Sequence, residues 1–412
     1  MSSSNISAPP ELPPTLEDVR SAAVRIAPYV HRTPLLISRS LSERAGVEVR
    51  IKCENLQRAG SFKIRGAYVR IARLSPEERA RGVVAASAGN HAQGVALASS
   101  ILGIRTTVFM PVGASLPKVT ATRAYGADVI LEGHTIEQSL AAATAFAAET
   151  GAVLIHPFDH RDIVAGQGTT GLEILEQCPD VRTIVVCLGG GGLLAGIALA
   201  VKAIRPDVRI VGVQAEGAAC WPPSLAAGQP EPLASMSTMA DGIAVGRPGE
   251  VPFEIVSHLV DDVRTVSEES LSRALLLCLE RAKMVVEPAG VAAVAGILDD
   301  PAAFEPPVVA VLSGGNVDPL LLLRVIRHGL AAAGRYVSLQ VRVADSPGHL
   351  AALLGHLAEQ DANVVEVEHL RTDPGLHVDE VAINVQLETR GAEHCVQVID
   401  ALESLGYSVS RQ

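Results

Sequence analysis

The amino-acid sequence predicts an α/β chain of open, layered sheets with helices on both faces, followed by a smaller α+β domain of ferredoxin-like order. Three observations predict it. Short β-branched runs alternate with longer Ala/Leu-rich segments from about residue 16 to residue 329, the pattern of parallel α/β architecture. Several of the short runs are apolar without alternation, as strands buried on both faces are. From Arg335 the pattern changes to strict alternation, which marks a sheet with one solvated face.

Along the chain, Met1 to Pro14 is rich in Ser and Pro and lacks the basic start and apolar run of a signal peptide, so residues 1–15 are expected to form a flexible tail. Asn5-Ile6-Ser7 has the pattern of a glycosylation acceptor, which carries no weight without secretion. Strands are expected at 82–86, 106–110, 128–131, 183–188, 208–214 and 308–312, with helices at 91–102, 135–149 and 193–204. Residues 183–201 carry no charge over a length that would cross a bilayer. Four glycines at their centre, each costing ~1 kcal/mol in a helix interior, make strand, loop, helix the better reading. Beyond Arg335, Val337, Leu339, Val341 and Val343 alternate with polar residues. Pro347 then opens a helix with Leu350, Leu353, Leu354 and Leu357 on one stripe. Strands at 363–371 and 380–389, a helix at 392–405 and a last strand at 407–410 complete β-α-β-β-α-β.

Composition narrows the function classes. With 412 residues, 48% hydrophobic and 19% charged, the chain is long enough for two or three folded domains and is not a disordered one. A net charge of -11 argues against nucleic acid or anionic membrane as a partner. Cys53, Cys178, Cys187, Cys220, Cys278 and Cys395 are scattered without a CxxC pair, so neither a zinc knuckle nor a disulfide framework is indicated and a reducing cytoplasm fits. Small-molecule ligands are expected.

Four loops place small residues and a helix N-terminus just after a strand, each a candidate anion site. Gly189-Gly190-Gly191-Gly192-Leu193 is the strongest: four glycines in a row waste conformational entropy unless something must approach the backbone closely, and a phosphate would. Ser87-Ala88-Gly89-Asn90, ahead of His91, reads either as a helix cap or as a seat for a substrate carboxylate. Ser313-Gly314-Gly315-Asn316 offers a hydroxyl at a strand end. Gly60-Ser61-Phe62-Lys63 sets a lysine between Phe62 and Ile64, beside an expected Ser61 cap, where burial would depress its pKa and suit it to bond a carbonyl. Lysine for the carbonyl, glycines for phosphate and a hydroxyl for a ring nitrogen are together what pyridoxal 5'-phosphate needs. A rival reading treats Gly190, Gly192 and Ala195 as G-x-G-x-x-A with Glu216 as the ribose acid of a dinucleotide fold, and leaves the other loops without a role.

These segments also resemble a known family. Glu54-Asn55-Leu56-Gln57, Gly60 to Ala67, Ala86 to Gly94, Lys118 to Ala127, Phe158-Asp159-His160, Gly166-Gln167-Gly168-Thr169, the glycine loop, Glu287-Pro288-Ala289-Gly290 and Ser313 to Asn316 look like the threonine dehydratase (threonine ammonia-lyase) family over about residues 16 to 330. Ser346-Pro347-Gly348-His349-Leu350 and Ala362-Asn363-Val364 resemble an ACT domain, the amino-acid-sensing module such enzymes often carry.

The resemblance implies the tryptophan-synthase-β-like architecture of pyridoxal enzymes (fold type II). A catalytic region over 16–330 would carry a smaller subdomain at about 56–155, with an ACT regulatory domain over 335–412. It implies pyridoxal 5'-phosphate held by Lys63, with Phe62 against its ring, Asn90 at its 3'-oxygen and Ser313 at its ring nitrogen. Gly189, Gly190, Gly191, Gly192 and Leu193 would cradle its phosphate, and Gly242, Glu287 and Gly314 complete the cofactor wall. Ser87, Ala88, Gly89, Asn90 and His91 would hold the substrate carboxylate. By the same likeness Lys63 removes the Cα proton of L-threonine and the β-hydroxyl leaves, giving 2-oxobutanoate and ammonia; L-serine would give pyruvate.

Departures from the pattern set the alternatives. Serine racemases resemble this chain but carry a second serine where Ala88 stands, which favours elimination here. β-Replacement enzymes usually have a Thr/Ser-rich asparagine loop and no ACT tail. Glu216-Gly217-Ala218-Ala219 lacks the acidic pair of the racemases, and Pro157 between His156 and His160 argues for a loop, so no metal site is expected. A non-catalytic amino-acid sensor is the reading of another class, and an intact Lys63 speaks against it. ACT domains usually pair between subunits, so a homodimer or homotetramer is expected, with an amino-acid effector of unspecified identity; one ACT domain suits either biosynthetic feedback or a catabolic role.

Overall fold

The computed structural model describes residues 12–371 and 376–412, so most of the expected tail, with Asn5-Ile6-Ser7, lies outside the described residues. The chain divides into two compact units, one ending at Pro319 and one running from Leu320 to Gln412. The division falls ahead of the expected boundary at 330, and helix Pro319–Ala332 straddles it.

The first unit holds two sheets. The larger has six strands in the order Leu35–Ile37, Val49–Cys53, Val308–Leu312, Thr183–Cys187, Arg209–Ala215, Asp262–Val266. Its first pair is antiparallel and the remaining neighbours are parallel. The smaller is a parallel sheet of four, ordered Asp128–Leu131, Thr106–Met110, Val83–Ala86, Val153–Leu154. Parallel order sends the C-terminal ends of neighbouring strands to one rim, where the loops that follow them cluster. Val308–Leu312 and Thr183–Cys187 are buried at every residue, which is why they read as unbroken apolar runs.

Four strands escape the sequence pattern for identifiable reasons. Val153–Leu154 and Leu35–Ile37 have two and three residues, too short for a period to register. Val49–Cys53 carries Lys52, a charge that mimics a solvent-facing position although its side chain is fully buried against Glu173. Asp262–Val266 is an edge strand with intermediate burial and two charged residues.

Glycine contacts fix the elements that matter for the site. Helix Lys63–Ala72 meets helix Arg161–Gln177 so closely that a Cβ on Gly166 would lie 2.6 Å from Gly66 Cα. Helix Gly192–Lys202 meets that same helix where a Cβ on Gly196 would collide with the Val164 carbonyl oxygen. The helix that begins at Lys63 and the helix that follows the glycine loop are therefore locked against one shared partner. The apolar stretch 183–201 resolves into strand, loop and helix, and no described helix is long and apolar enough to cross a membrane.

The second unit is a four-stranded antiparallel sheet ordered Asn363–Leu370, Glu380–Glu388, Tyr336–Ala344, Ser408–Arg411. Helices His349–Glu359 and Ala392–Ser404 complete the β-α-β-β-α-β order. Leu339, Val341, Leu353, Leu357, Ile383 and Val398 form its core. The alternation of Val337 to Val343 is the alternation of buried positions with half-buried or exposed ones along one strand.

Candidate active site

Lys63 is positioned from two sides. The loop before it is stitched to the end of strand Val308–Leu312: Phe62 N–H donates to the Ser313 carbonyl at 3.2 Å, Gly315 N–H donates to the Gly60 carbonyl at 2.9 Å, and Ser61 bridges to Gly314. Ser61 is not the expected cap; it is extended, Phe62 occupies the N-cap position, and the Ser61 hydroxyl is buried without a partner. Behind the lysine, Arg65 is fully buried and donates to both Glu54 carboxylate oxygens at 2.8 Å and to Glu173 at 2.7 Å. Lys52 completes this enclosed charge cluster with a 2.5 Å bond to Glu173. Lys63 Nζ donates to the Pro157 carbonyl at 3.0 Å and lies 5.2 Å from the Phe62 ring centre. Burial pulls its pKa down to about 8, against the opposing influence of Cys187 and Glu287.

The glycine loop is bare for two reasons. Gly191 has φ 98, and a Cβ there would lie 2.5 Å from the Trp221 ring, while one on Gly190 would run into the Phe158 ring. Trp221 Nε1 donates to the Gly189 carbonyl at 2.6 Å, which commits that oxygen to the indole. Among the described residues, no N–H from Gly189 to Leu193 donates to another protein atom. Five consecutive donors at a helix N-terminus stand ready for an anion.

At the loop from Ser87 to His91, Gly89 is the N-cap and no side chain caps the helix, so the capping alternative does not hold. Ser87 Oγ instead accepts from Gly89 N–H at 3.1 Å. His91 Nε2 donates to the Ile155 carbonyl at 2.7 Å, and burial lowers its pKa to about 3, so the ring is neutral and committed. Asn90 is held between neighbours: its Nδ2 donates to Glu287 Oε1 and its Oδ1 accepts from Asn316 Nδ2 at 2.8 Å. Burial, with Asp241 nearby, pushes Glu287 up to about 7. A Cβ on Gly314 would collide with Glu287 Oε1, and one on Gly242 would lie 2.9 Å from the Ala289 Cβ.

These pieces enclose one cavity of about 570 Å³. Phe62, Lys63, Ser87, Ala88, Gly89, Asn90, His91, Gly189 to Leu193, Gly242, Glu287 and Ser313 all line it. Gly314 does not; it sits behind the wall against Glu287 and Asn90. Cys187, Lys118, Asp241, Gln167 and the apolar Ile136, Leu140 and Met236 also line it and are not among the site residues expected from the sequence. Lys118, Gln167 and Phe158 lie inside the family-like motifs, which is the available signal. Cys187, Ile136, Leu140 and Met236 carry none. His156 and His160 are turn-makers: His156 Nδ1 accepts from Asp159 N–H at 2.8 Å, and His160 Nδ1 from Asp162 N–H at 3.0 Å. No group of three or more metal-ligating side chains occurs among the described residues.

The arrangement fits pyridoxal phosphate: unpaired N–H groups for the phosphate, a half-buried, readily neutralised amine for the carbonyl, and a hydroxyl at a strand end lining the same cavity. A family model described as pyridoxal-phosphate dependent enzyme matches residues 26–314. The chain belongs to that family. Pyridoxal phosphate is its cofactor. An L-threonine ammonia-lyase of Thermotoga maritima is 47% identical over 395 residues, 96% of this chain and 98% of that one. Among solved structures, a threonine deaminase from T.th. is similar with TM-score 0.71 and 44% identity over 74% of this chain and 99% of that one. Maize serine racemase is similar with TM-score 0.72 and 39% identity over 77% of this chain and 98% of that one. Membership of the pyridoxal family displaces the dinucleotide reading, and Glu216 ends exposed in a short turn after strand Arg209–Ala215.

Proposed function

We propose that this pyridoxal-phosphate enzyme is a threonine ammonia-lyase, a carbon–nitrogen lyase that converts L-threonine to 2-oxobutanoate and ammonia and L-serine to pyruvate. The observation that carries it is Lys63, half-buried and facing the loop of unpaired N–H groups across one cavity, in a chain 47% identical over 96% of its length to an L-threonine ammonia-lyase.

The cofactor, when bound, supplies an electron sink for the pair left at Cα once its proton is gone. Lys63 holds the cofactor and takes that proton: with a pKa near 8 a usable fraction is neutral at physiological pH, and the Pro157 carbonyl receives its N–H when it is free. Gly189 to Leu193 would hold the phosphate through their N–H groups, and Ser313 would offer a hydroxyl to the ring nitrogen without forcing a charge onto it. Ser87 to Asn90 receive the substrate carboxylate at the start of helix Asn90–Leu102, where the backbone donors and the helix dipole favour a negative group. His91 contributes its backbone, since its ring is bonded to Ile155. Phe62 would lie beside the ring, and Gly242, Glu287 and Gly314 shape the wall that keeps Asn90 in place. Ala88 lines the cavity with a methyl group that carries no transferable proton, which supports elimination over racemization.

Residues 335–412 serve as an ACT-type regulatory domain that binds an amino-acid effector and pairs between subunits of a homo-oligomer in the cytoplasm. Their β-α-β-β-α-β order supports this reading.

The test is release of 2-oxo acid and ammonia from L-threonine and L-serine by the cofactor-loaded protein, in parallel with Lys63→Ala. Stoichiometric 2-oxobutanoate and ammonia, lost in the variant, is the expected result. Equal release by the variant, or no release by the native protein, defeats the proposal.

A further inference from the structure

Lys118 opens one of the family-like segments, Lys118 to Ala127, that none of the steps above uses. It lies on helix Leu116–Ala124, which packs through Val119 onto Val108 and Met110 of the four-stranded sheet. Its side chain is only 14% exposed, and its Nζ sits 2.5 Å from Asp241 Oδ2. Asp241 belongs to the other lobe. It begins the turn Asp241–Ile243, which abuts both the glycine loop and helix Pro288–Asp299: a Cβ on Gly189 would lie 3.0 Å from Ile243 Cα, and one on Gly242 would meet Ala289. The ion pair therefore ties the four-stranded lobe to the six-stranded lobe, and both partners line the cavity.

We propose that Lys118 and Asp241 are a positioning pair that clasps the two lobes across the mouth of the cavity, already formed before substrate is present, and that parts for substrate entry and product release. The inference rests on the ammonia-lyase reading for the identity of the substrate. Three observations support it. Asp241 is 54% exposed, so the pair is of the weak, solvent-screened kind, which shifts an equilibrium by about twofold to fivefold and opens readily. A clasp that must release once per turnover needs that weakness. Ile136 and Leu140 from the small lobe and Met236 from the large one line the same cavity at 39%, 38% and 36% exposure, leaving apolar surface for the closed lobes to share. Finally, the carboxylate of Asp241 and the ammonium of Lys118 act on Glu287 in opposite senses, and all three line the same cavity.

A charge swap tests it in the cofactor-loaded full chain: Lys118→Glu, Asp241→Lys and the double variant, with Asp241→Asn included in case a reversed charge prevents folding. Each single reversal is expected to raise KM for L-threonine about fivefold with a smaller change in kcat, and the double variant to recover most of the loss. In parallel, thermolysin cleavage within residues 228–248 without substrate should quicken in the singles and slow again in the double. A double variant no better than the worse single, in KM and in cleavage, overturns the clasp, as does an unchanged KM in every single variant. Absence of lyase turnover in the native protein defeats the ammonia-lyase reading instead, and the cleavage rates then decide the clasp alone.

Discussion

Glu287 is a carboxyl group held against its own charge. Its ordinary pKa of 4.5 rises to about 7 because the side chain is buried and Asp241 adds a like charge, with the Asn90 amide, Lys118 and Lys63 only partly compensating. Between those two values the folded protein binds a proton that the unfolded chain releases, so stability falls as pH rises through the window. The loss reaches about 3 kcal/mol above pH 7. Glu287→Gln keeps an acceptor for Asn90 Nδ2 and removes the charge. The cofactor-free variant is therefore expected to be more stable than the native protein at pH 8, by up to that amount, and no more stable at pH 4. Urea unfolding at the two pH values checks it, and equal gains at both would refute the assignment. The motif Glu287-Pro288-Ala289-Gly290 makes the residue visible in the sequence, but not its protonation, because the groups that set it come from Asn90, Lys118 and Asp241, far apart in the chain. The same holds for Lys63: its apolar neighbours Phe62 and Ile64 point to burial, while its acceptor, the Pro157 carbonyl, lies on a segment that no local pattern connects to it.

At the scale of the element, helix Lys63–Ala72 is the part whose placement decides the site, and its anchor is electrostatic. Arg65, Glu54, Glu173 and Lys52 form one enclosed cluster in which each charge has partners. Such a cluster adds little net stability over an apolar core of equal volume, yet removing one member strands the rest. Arg65→Met leaves the Glu54 and Glu173 carboxylates facing each other with Lys52 as their remaining cation, and is expected to cost about 3–5 kcal/mol in denaturant unfolding. A loss below about 1 kcal/mol would show that the cluster relaxes around the gap. Arg65→Met together with Glu54→Gln should recover part of the loss, since one stranded charge is then gone. In the sequence, Glu54 and Arg65 stand in two separate motifs and Lys52 looks like an ordinary strand charge. Only the fold brings Glu173, from helix Arg161–Gln177, between them. The glycine loop is more legible, because four consecutive glycines have no other economical use. Even there, half of the reason is internal packing: Phe158 and Trp221 fill the space where side chains would stand.

At the scale of the molecule, the change from unbroken apolar runs to strict alternation at Arg335 is readable because burial on two faces and on one face write different periods into a strand. The boundary itself is not, since helix Pro319–Ala332 carries no mark of which unit it serves. Lys63, the glycine loop, Glu287 and Ser313 all precede Pro319, and the second unit has its own core in Leu339, Val341, Leu353, Ile383 and Val398. The residues that line the cavity are therefore separable by deletion from residues 335–412. A chain lacking residues 335–412 is expected to keep turning over L-threonine and to lose every response to other amino acids. In the full chain an effector that acts through those residues should change kcat/KM by about fivefold or more, the range of ordinary allosteric coupling. Initial rates of both chains against a panel of amino acids, with competition at the active site separated by varying L-threonine, decide the matter. An amino acid that shifts the full chain and the shortened one alike acts at the cavity and not at the second unit. A full chain indifferent to the whole panel would remove the sensing role and leave residues 335–412 with subunit pairing alone, which light scattering of the two chains then tests directly.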